Sequence, residues 1–153
     1  MLLKPGSEPE SIERQQYAQV SCYKTEGKRS LIMARILVID DDKGIRSMLK
    51  TLLERAGHEV TQAADGRDGI EKFRTRPADL IITDVVMPEK DGIEVILELK
   101  REFPGVRFIV ISGGGVVPPE YYLECVRGLG AAYTLEKPFD VDMLLTTVEM
   151  SLK

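Results

Sequence analysis

Each of four short apolar runs in this chain ends in a polar or charged cluster: Ile39-Asp40-Asp41-Asp42, Thr83-Asp84-Val85-Val86-Met87-Pro88, Ile111-Ser112-Gly113 and Glu136-Lys137-Pro138-Phe139. The runs are too short for helices, and the stretches between them repeat apolar residues at helical spacing. That alternation argues βαβ units and a parallel sheet. In such a sheet the carboxyl ends of neighbouring strands face one crevice, which is where ligands bind. Three carboxylates, a hydroxyl and an ammonium therefore converge.

The elements follow in order. Residues 36–39 form the first strand, and Ile45, Leu49, Leu52, Leu53 and Ala56 mark a helix that Gly57 stops. Residues 59–62 form a weak edge strand, and 66–74 a second helix that ends before Pro77. A buried strand at 80–83, a third helix at 92–103 and the most apolar strand at 106–111 come next. Pro118 and Pro119 suit the opening turn of a fourth helix. A short strand at 132–135 and a fifth helix at 141–152 close the chain. Right-handed crossovers leave few topologies for this order.

The chemistry of the crevice follows from its residue types. Asp40, Asp41 and Asp84 crowded together repel by roughly 4 kcal/mol per pair at 4 Å and an effective dielectric near 20. A divalent cation is the usual remedy, and hard oxygen donors with few other ligands suit Mg²⁺, which keeps several waters and is often completed by a phosphate. Lys137 and Ser112 then read as groups that meet phosphoryl oxygens. Ser112 ends an apolar strand, where a hydroxyl has little reason to be except at the tip. A triple Asp is also what a helix N-cap run looks like, and Asp42 fits that role. Taken singly, Asp84, Ser112 and Lys137 would each pass for an ordinary capping or surface residue.

Together, in this order, these residues resemble the receiver domain of two-component response regulators, the superfamily of the chemotaxis and sporulation regulators. The resemblance runs from about residue 34 to 153 and rests on the acidic pair, the Asp-x-x-Met-Pro-x-x-Asp-Gly run from Asp84 to Gly92, the strand-end hydroxyl and the Lys-Pro-Phe. It implies a flavodoxin-like doubly wound α/β fold, five parallel strands in the order 2-1-3-4-5 with five helices. It implies that Asp84 is the phosphoacceptor, attacking the phosphorus of a phosphohistidine on a histidine kinase or histidine phosphotransfer protein. Mg²⁺ would be held by Asp84, by Asp41 directly, by Asp40 through water and by the backbone carbonyl of Val86. Ser112 would donate to the phosphoryl group, and a cis bond before Pro138 would aim Lys137 at it. Partner docking would use Gly44, Ile45, Met48, Pro138 and Phe139. One departure stands out: the family's aromatic residue three positions before the lysine is Thr134 here, and alternation points the neighbouring Tyr133 to the opposite face.

Composition narrows the remaining classes. A hydrophobic content of 43 % with 30 % charged residues is ordinary for a soluble globule. The net charge is −4; residues 1–33 hold five Lys/Arg and four Asp/Glu, a balance of +1, so residues 34–153 carry −5. This acidic domain has no basic face for nucleic acid. No apolar run reaches the ~18 residues of a membrane span, and residues 1–10 lack a signal-peptide core, so a cytoplasmic location is expected. Cys22 and Cys125 share no disulfide or zinc spacing. The lone His58 has no partner in pattern and reads as structural. Residues 1–33 are polar and irregular, an extension expected to be disordered, with a thin helical stripe at Ile12, Tyr17 and Val20 and an alternative start at Met33.

The expectation is thus a receiver domain over 34–153 in a single-domain response regulator: a signalling switch, not an enzyme, that takes part in its own Mg²⁺-dependent phosphoryl transfer and autodephosphorylation. With no room for an effector domain after the fifth helix, output would pass to a downstream protein by contact. Two rivals are a pseudo-receiver used only for docking, and a haloacid-dehalogenase-type phosphohydrolase. In the latter, Asp40-x-Asp42, Ser112 and Lys137 would supply the motifs, Asp40 would be the nucleophile, and Asp84 would have no role.

Overall fold

A computed structural model describes residues 32–113, 124, 126–128 and 133–153. Five strands, β1 (Arg35–Ile39), β2 (Glu59–Ala63), β3 (Leu80–Asp84), β4 (Phe108–Ser112) and β5 (Tyr133–Glu136), form one sheet in the order β2-β1-β3-β4-β5. Every pairing is parallel. Between them run α1 (Lys43–Arg55), α2 (Gly66–Thr75) and α3 (Gly92–Glu102), and a C-terminal helix spans Val141–Leu152. Glu124 and residues 126–128 are also helical, where the sequence predicts the fourth of the five helices. The fold is the expected flavodoxin-like one. The stripe at Ile12, Tyr17 and Val20, the opening prolines Pro118 and Pro119, and both cysteines lie outside the described residues.

Strand alternation splits the core into two. Ile36, Val38, Leu80, Ile82, Ile109, Ile111 and Leu135 pack with Leu49 and Leu53 of α1 and Leu144 and Val148 of the C-terminal helix. Leu37, Ile39, Ile81, Phe108 and Val110 pack on the other face with Ile70 and Phe73 of α2, Val95, Ile96 and Leu99 of α3, and Val126. Both faces of β3 and β4 are covered, so these strands read as unbroken apolar runs rather than alternating ones.

Strand boundaries differ from the sequence reading by one or two residues: β1 starts one residue earlier, β2 ends one later, and β3, β4 and β5 each continue one residue into the polar cluster. β3 runs one residue further, pairing Asp84 with Ile111; β5 runs to Glu136, pairing it with Ser112. β4 starts at Phe108, not at residue 106, because the Val106 N–H turns back to the Phe103 carbonyl at 3.0 Å. Val106 is apolar because it is buried against the α2–α3 cluster, which periodicity cannot distinguish from strand burial.

Each of the helices described from start to end begins on an aspartate. Asp42, Asp65, Asp91 and Asp140 accept from the backbone N–H groups of Gly44 and Ile45, Asp68, Glu94 and Met143 respectively. Such a cap is worth about 1 kcal/mol, and here it also fixes where each crossover leaves the sheet. Gly57, at φ 95°, ends α1 in the left-handed region, as the sequence predicts.

Two predictions follow from this packing. A Cβ at Gly92 would lie 2.2 Å from the Asp84 backbone oxygen, between strand and helix with no flexible side chain to yield. Gly92→Ala, although it favours helix, should therefore lower unfolding stability by about 1–3 kcal/mol in urea denaturation. The Ala34 N–H donates to His58 Nδ1 at 3.3 Å, so the imidazole serves as an acceptor. Burial pushes its pKa below the ordinary value, outweighing the upward pull of Glu149. Its stabilising contribution is complete above the unfolded value near 6.5 and is lost as pH falls through the lower folded value. Between about pH 7.5 and 5.5 the urea midpoint of the wild type should fall further than that of His58→Gln.

Candidate functional site

The carboxyl ends of β1, β3, β4 and β5 bring the predicted residues together. Asp40 follows β1, Asp84 ends β3, Ser112 ends β4, and Lys137 follows β5. Carboxylate oxygens of Asp40, Asp41 and Asp84 all lie within 4.8 Å of one another. Asp40, Asp84 and Ser112 are buried, whereas Asp41 is exposed, so the cluster reaches solvent at Asp41.

Lys137 joins the strands chemically. Its Nζ donates to Asp84 Oδ2 at 3.1 Å and to Asp40 Oδ2 at 3.2 Å. The Lys137–Pro138 bond is cis, as the resemblance implies. The Lys137 N–H donates to the Ser112 carbonyl at 2.8 Å, which ties β5 to the end of β4. Gly113 leaves room for the lysine stem: a Cβ there would sit 3.3 Å from Lys137 Cδ. Burial disfavours the ammonium, but Asp84 and then Asp40 outweigh it, and the Lys137 pKa is raised. Asp40 is raised too, first by burial and then by the Asp84 charge, against the lowering effects of the Asp42 N–H and Lys137.

Asp84 Oδ1 is buried with no hydrogen-bond partner among the described residues. A buried carboxylate oxygen without a donor is costly, and it lies in a cluster whose other members are also anions. These donors fit a hard divalent cation with oxygen ligands. The three aspartates at 40, 41 and 42 have separate fates. Asp40 Oδ1 accepts from the Asp42 N–H at 2.9 Å, Asp41 is free to face the cluster from solvent, and Asp42 spends its Oδ1 on the α1 cap. With Asp42 so engaged, the second acid of the phosphohydrolase reading is already committed elsewhere.

Two supporting roles are absent from the sequence reading. Arg46, one turn into α1, donates to the Asp40 backbone carbonyl at 2.7 Å, and Thr83 Oγ1 donates to that of Asp84 at 3.0 Å. Neither role shows in a pattern, because both side chains bind backbone, which any sequence supplies. Val86 is half exposed beside the site. Gly44, Met48 and Pro138 are exposed, and Ile45 and Phe139 are half-buried against the same apolar cluster. Thr134 is half-buried and Tyr133 packs with the cluster that holds α1, opposite to Thr134, as alternation predicts. Residues 114–123 lie outside the described residues.

The profile of the response regulator receiver domain matches residues 36–149. The chain is 38 % identical over 121 residues to the DNA-binding transcriptional regulator NtrC of Azospirillum brasilense, covering 78 % of this chain but only 24 % of that protein. It is 34 % identical to the response regulator receiver protein CpdR of Brucella abortus, covering 78 % of this chain and 98 % of that one. Among solved structures, a receiver domain protein from Clostridium thermocellum superposes with a TM-score of 0.73 at 30 % identity, covering 78 % of this chain and 94 % of that chain. The chemotaxis protein CheY4 of Vibrio cholerae gives a TM-score of 0.71 at 33 % identity, covering 78 % and 99 %. With its strand ends, lysine bridge and acidic cluster arranged as described, the chain belongs to the response regulator receiver domain family of two-component signalling.

Proposed function

We propose that this receiver is a phosphorylation switch whose acceptor is Asp84. The observation that carries the reading is the Lys137 ammonium, which holds Asp84 Oδ2 and Asp40 Oδ2 while Asp84 Oδ1 has no partner. One Asp84 oxygen is thereby oriented and screened by the lysine. In the transfer, an Asp84 oxygen forms the new O–P bond while the P–N bond to a histidine of a histidine kinase or phosphotransfer protein breaks. The donor imidazole leaves with the electron pair and takes up a proton. Asp40, Asp41, Asp84 and the Val86 carbonyl would hold Mg²⁺, which when bound neutralises charge on the phosphoryl oxygens. Lys137 supplies a second positive charge and Ser112 a hydroxyl donor at the end of β4. Phosphorylation adds about −1.5 to −2 charges at this point, and Lys137, already in contact, can meet them without leaving Asp40. Water attacking phosphorus would reverse the modification, releasing inorganic phosphate and restoring the carboxylate.

The chain spans nearly the whole of some relatives and about a quarter of others, among them a DNA-binding transcriptional regulator. As a receiver, it passes its signal to a downstream protein by contact. Donor docking is assigned to Gly44, Ile45, Met48, Pro138 and Phe139, an apolar surface beside the acceptor that fits a partner helix. No described helix is long and apolar enough to cross a membrane.

Intact mass after incubation with acetyl phosphate and Mg²⁺ should show one phosphoryl adduct on the wild type and none on Asp84→Asn; an adduct on both would refute the acceptor assignment. At about ten times its dissociation constant, Mg²⁺ should stabilise the fold by about 1.4 kcal/mol, and Asp41→Ala should remove that increment along with phosphoryl uptake. Uptake that persists in EDTA would rule out the metal role. Ile45→Glu should block transfer from a phosphohistidine donor and leave acetyl phosphate labelling intact, and equal loss of both would point to misfolding.

A further inference from the structure

The loop of residues 85–91 links the acceptor strand to α3 and carries Val86, whose carbonyl belongs to the proposed cation set. Its ends are closed by the Gly92 N–H, which donates to the Val85 carbonyl at 2.8 Å, and the Lys90 N–H donates to that of Pro88 at 2.9 Å. Within it Glu89 has φ 67°, a left-handed conformation disfavoured for a residue with a side chain. A loop held in that state needs anchoring from outside.

Lys90 supplies the anchor from two directions. Its carbonyl oxygen lies against the first residue of α2, where a Cβ at Gly66 would come within 2.7 Å. Its ammonium, only 23 % exposed, pairs with Glu98 in the middle of α3. Glu98 also accepts from Arg74 Nη2 at 2.8 Å, and Arg74 binds Glu102 through Nε at 2.9 Å, so α2 and α3 are joined by the carboxylate that holds the loop. An isolated exposed ion pair contributes little, but a partly buried one in a network of several charges is the recognised exception. Nothing in the phosphoryl chemistry above uses Lys90, Glu98 or Arg74.

We propose that Lys90 is a positioning residue for the cation site: through Glu98 and Arg74 it fixes the 85–91 loop, and with it Val86, against α2 and α3. The inference rests on the metal reading of the preceding subsection. It gives the α2–α3 face a part in tuning a site to which neither helix contributes a ligand.

The test uses the full chain as wild type, Lys90→Met, Lys90→Arg and Glu98→Gln. Mg²⁺ affinity is read from amide shifts in a titration, and amide exchange is measured separately in EDTA. Lys90→Met should weaken Mg²⁺ binding roughly threefold to fivefold and speed exchange at residues 85–92 without metal, while exchange in α2 and the later turns of α3 stays as in the wild type. Lys90→Arg should restore both, and Glu98→Gln combined with Lys90→Met should cost less than the sum of the single changes. Unchanged affinity, or unchanged loop exchange in EDTA, overturns the proposal. Faster exchange spread evenly through α2 and α3 overturns it also, since the pair would then be merely structural. A wild type that binds no Mg²⁺ removes the metal reading and this inference together, whereas normal wild-type binding with an unaffected Lys90→Met removes the inference alone.

Discussion

Three carboxylates within 4.8 Å of one another, two of them buried, set the terms for the whole molecule. Left alone they would drive the ends of β1 and β3 apart, because repulsion between like charges grows as they leave water. The sheet resists in two ways. Four parallel ladders with apolar packing on both faces fix the strand ends to a common edge. Lys137, brought from nearly a hundred residues away, then places one cation between Asp40 and Asp84. The core supplies the rigidity and the lysine the charge, and neither substitutes for the other.

The same side-chain type does two jobs in this fold, and burial separates them. Asp42, Asp65, Asp91 and Asp140 face helix N-termini, where unpaired N–H groups and the helix dipole favour a carboxylate. Asp40 and Asp84 sit one residue off a strand or at its end, in surroundings that raise the pKa of Asp40. Consecutive residues can therefore carry opposite costs: Asp42 stabilises the start of α1, while Asp40 stores electrostatic strain that a cation or a phosphoryl group and its counter-charge can relieve. A binding site of this kind draws its affinity from relief of that strain.

How far the sequence could be read depends on how local each signal is. The βα alternation, the edge position of β2 and the order of the strand-end motifs need only neighbouring residues, and the structure has them. The C-terminal ends of β3, β4 and β5 lie one residue beyond the pattern, since pairing of Asp84 with Ile111 and of Ser112 with Glu136 is a property of two strands, which one strand's pattern does not contain. Arg46, Thr83 and the Lys90–Glu98–Arg74 chain were invisible for a related reason. Their partners are backbone carbonyls or residues brought near by the α2–α3 contact, and nothing in the composition of the 85–91 loop marks Lys90 from a solvated lysine.

Thr134 shows how a local substitution shifts a burden to the backbone. Its side chain is half-buried on the face opposite Tyr133, so the two residues are not interchangeable: Tyr133 is already committed to the cluster beneath α1 and the C-terminal helix. A threonine has too little volume to move between a buried and an exposed state with consequences for packing around it. What links the ends of β4 and β5 instead is the Lys137 N–H to Ser112 carbonyl bond and the Ser112–Glu136 register pair. Any displacement of Ser112 or of the Lys137 ammonium toward a charge on Asp84 must therefore pull on β5 through its main chain. A main-chain link moves both strands together and by little, whereas an aromatic side chain can swing far while its strand stays still. In this receiver, the described contact between the ends of β4 and β5 is thus one of main chain in a parallel ladder.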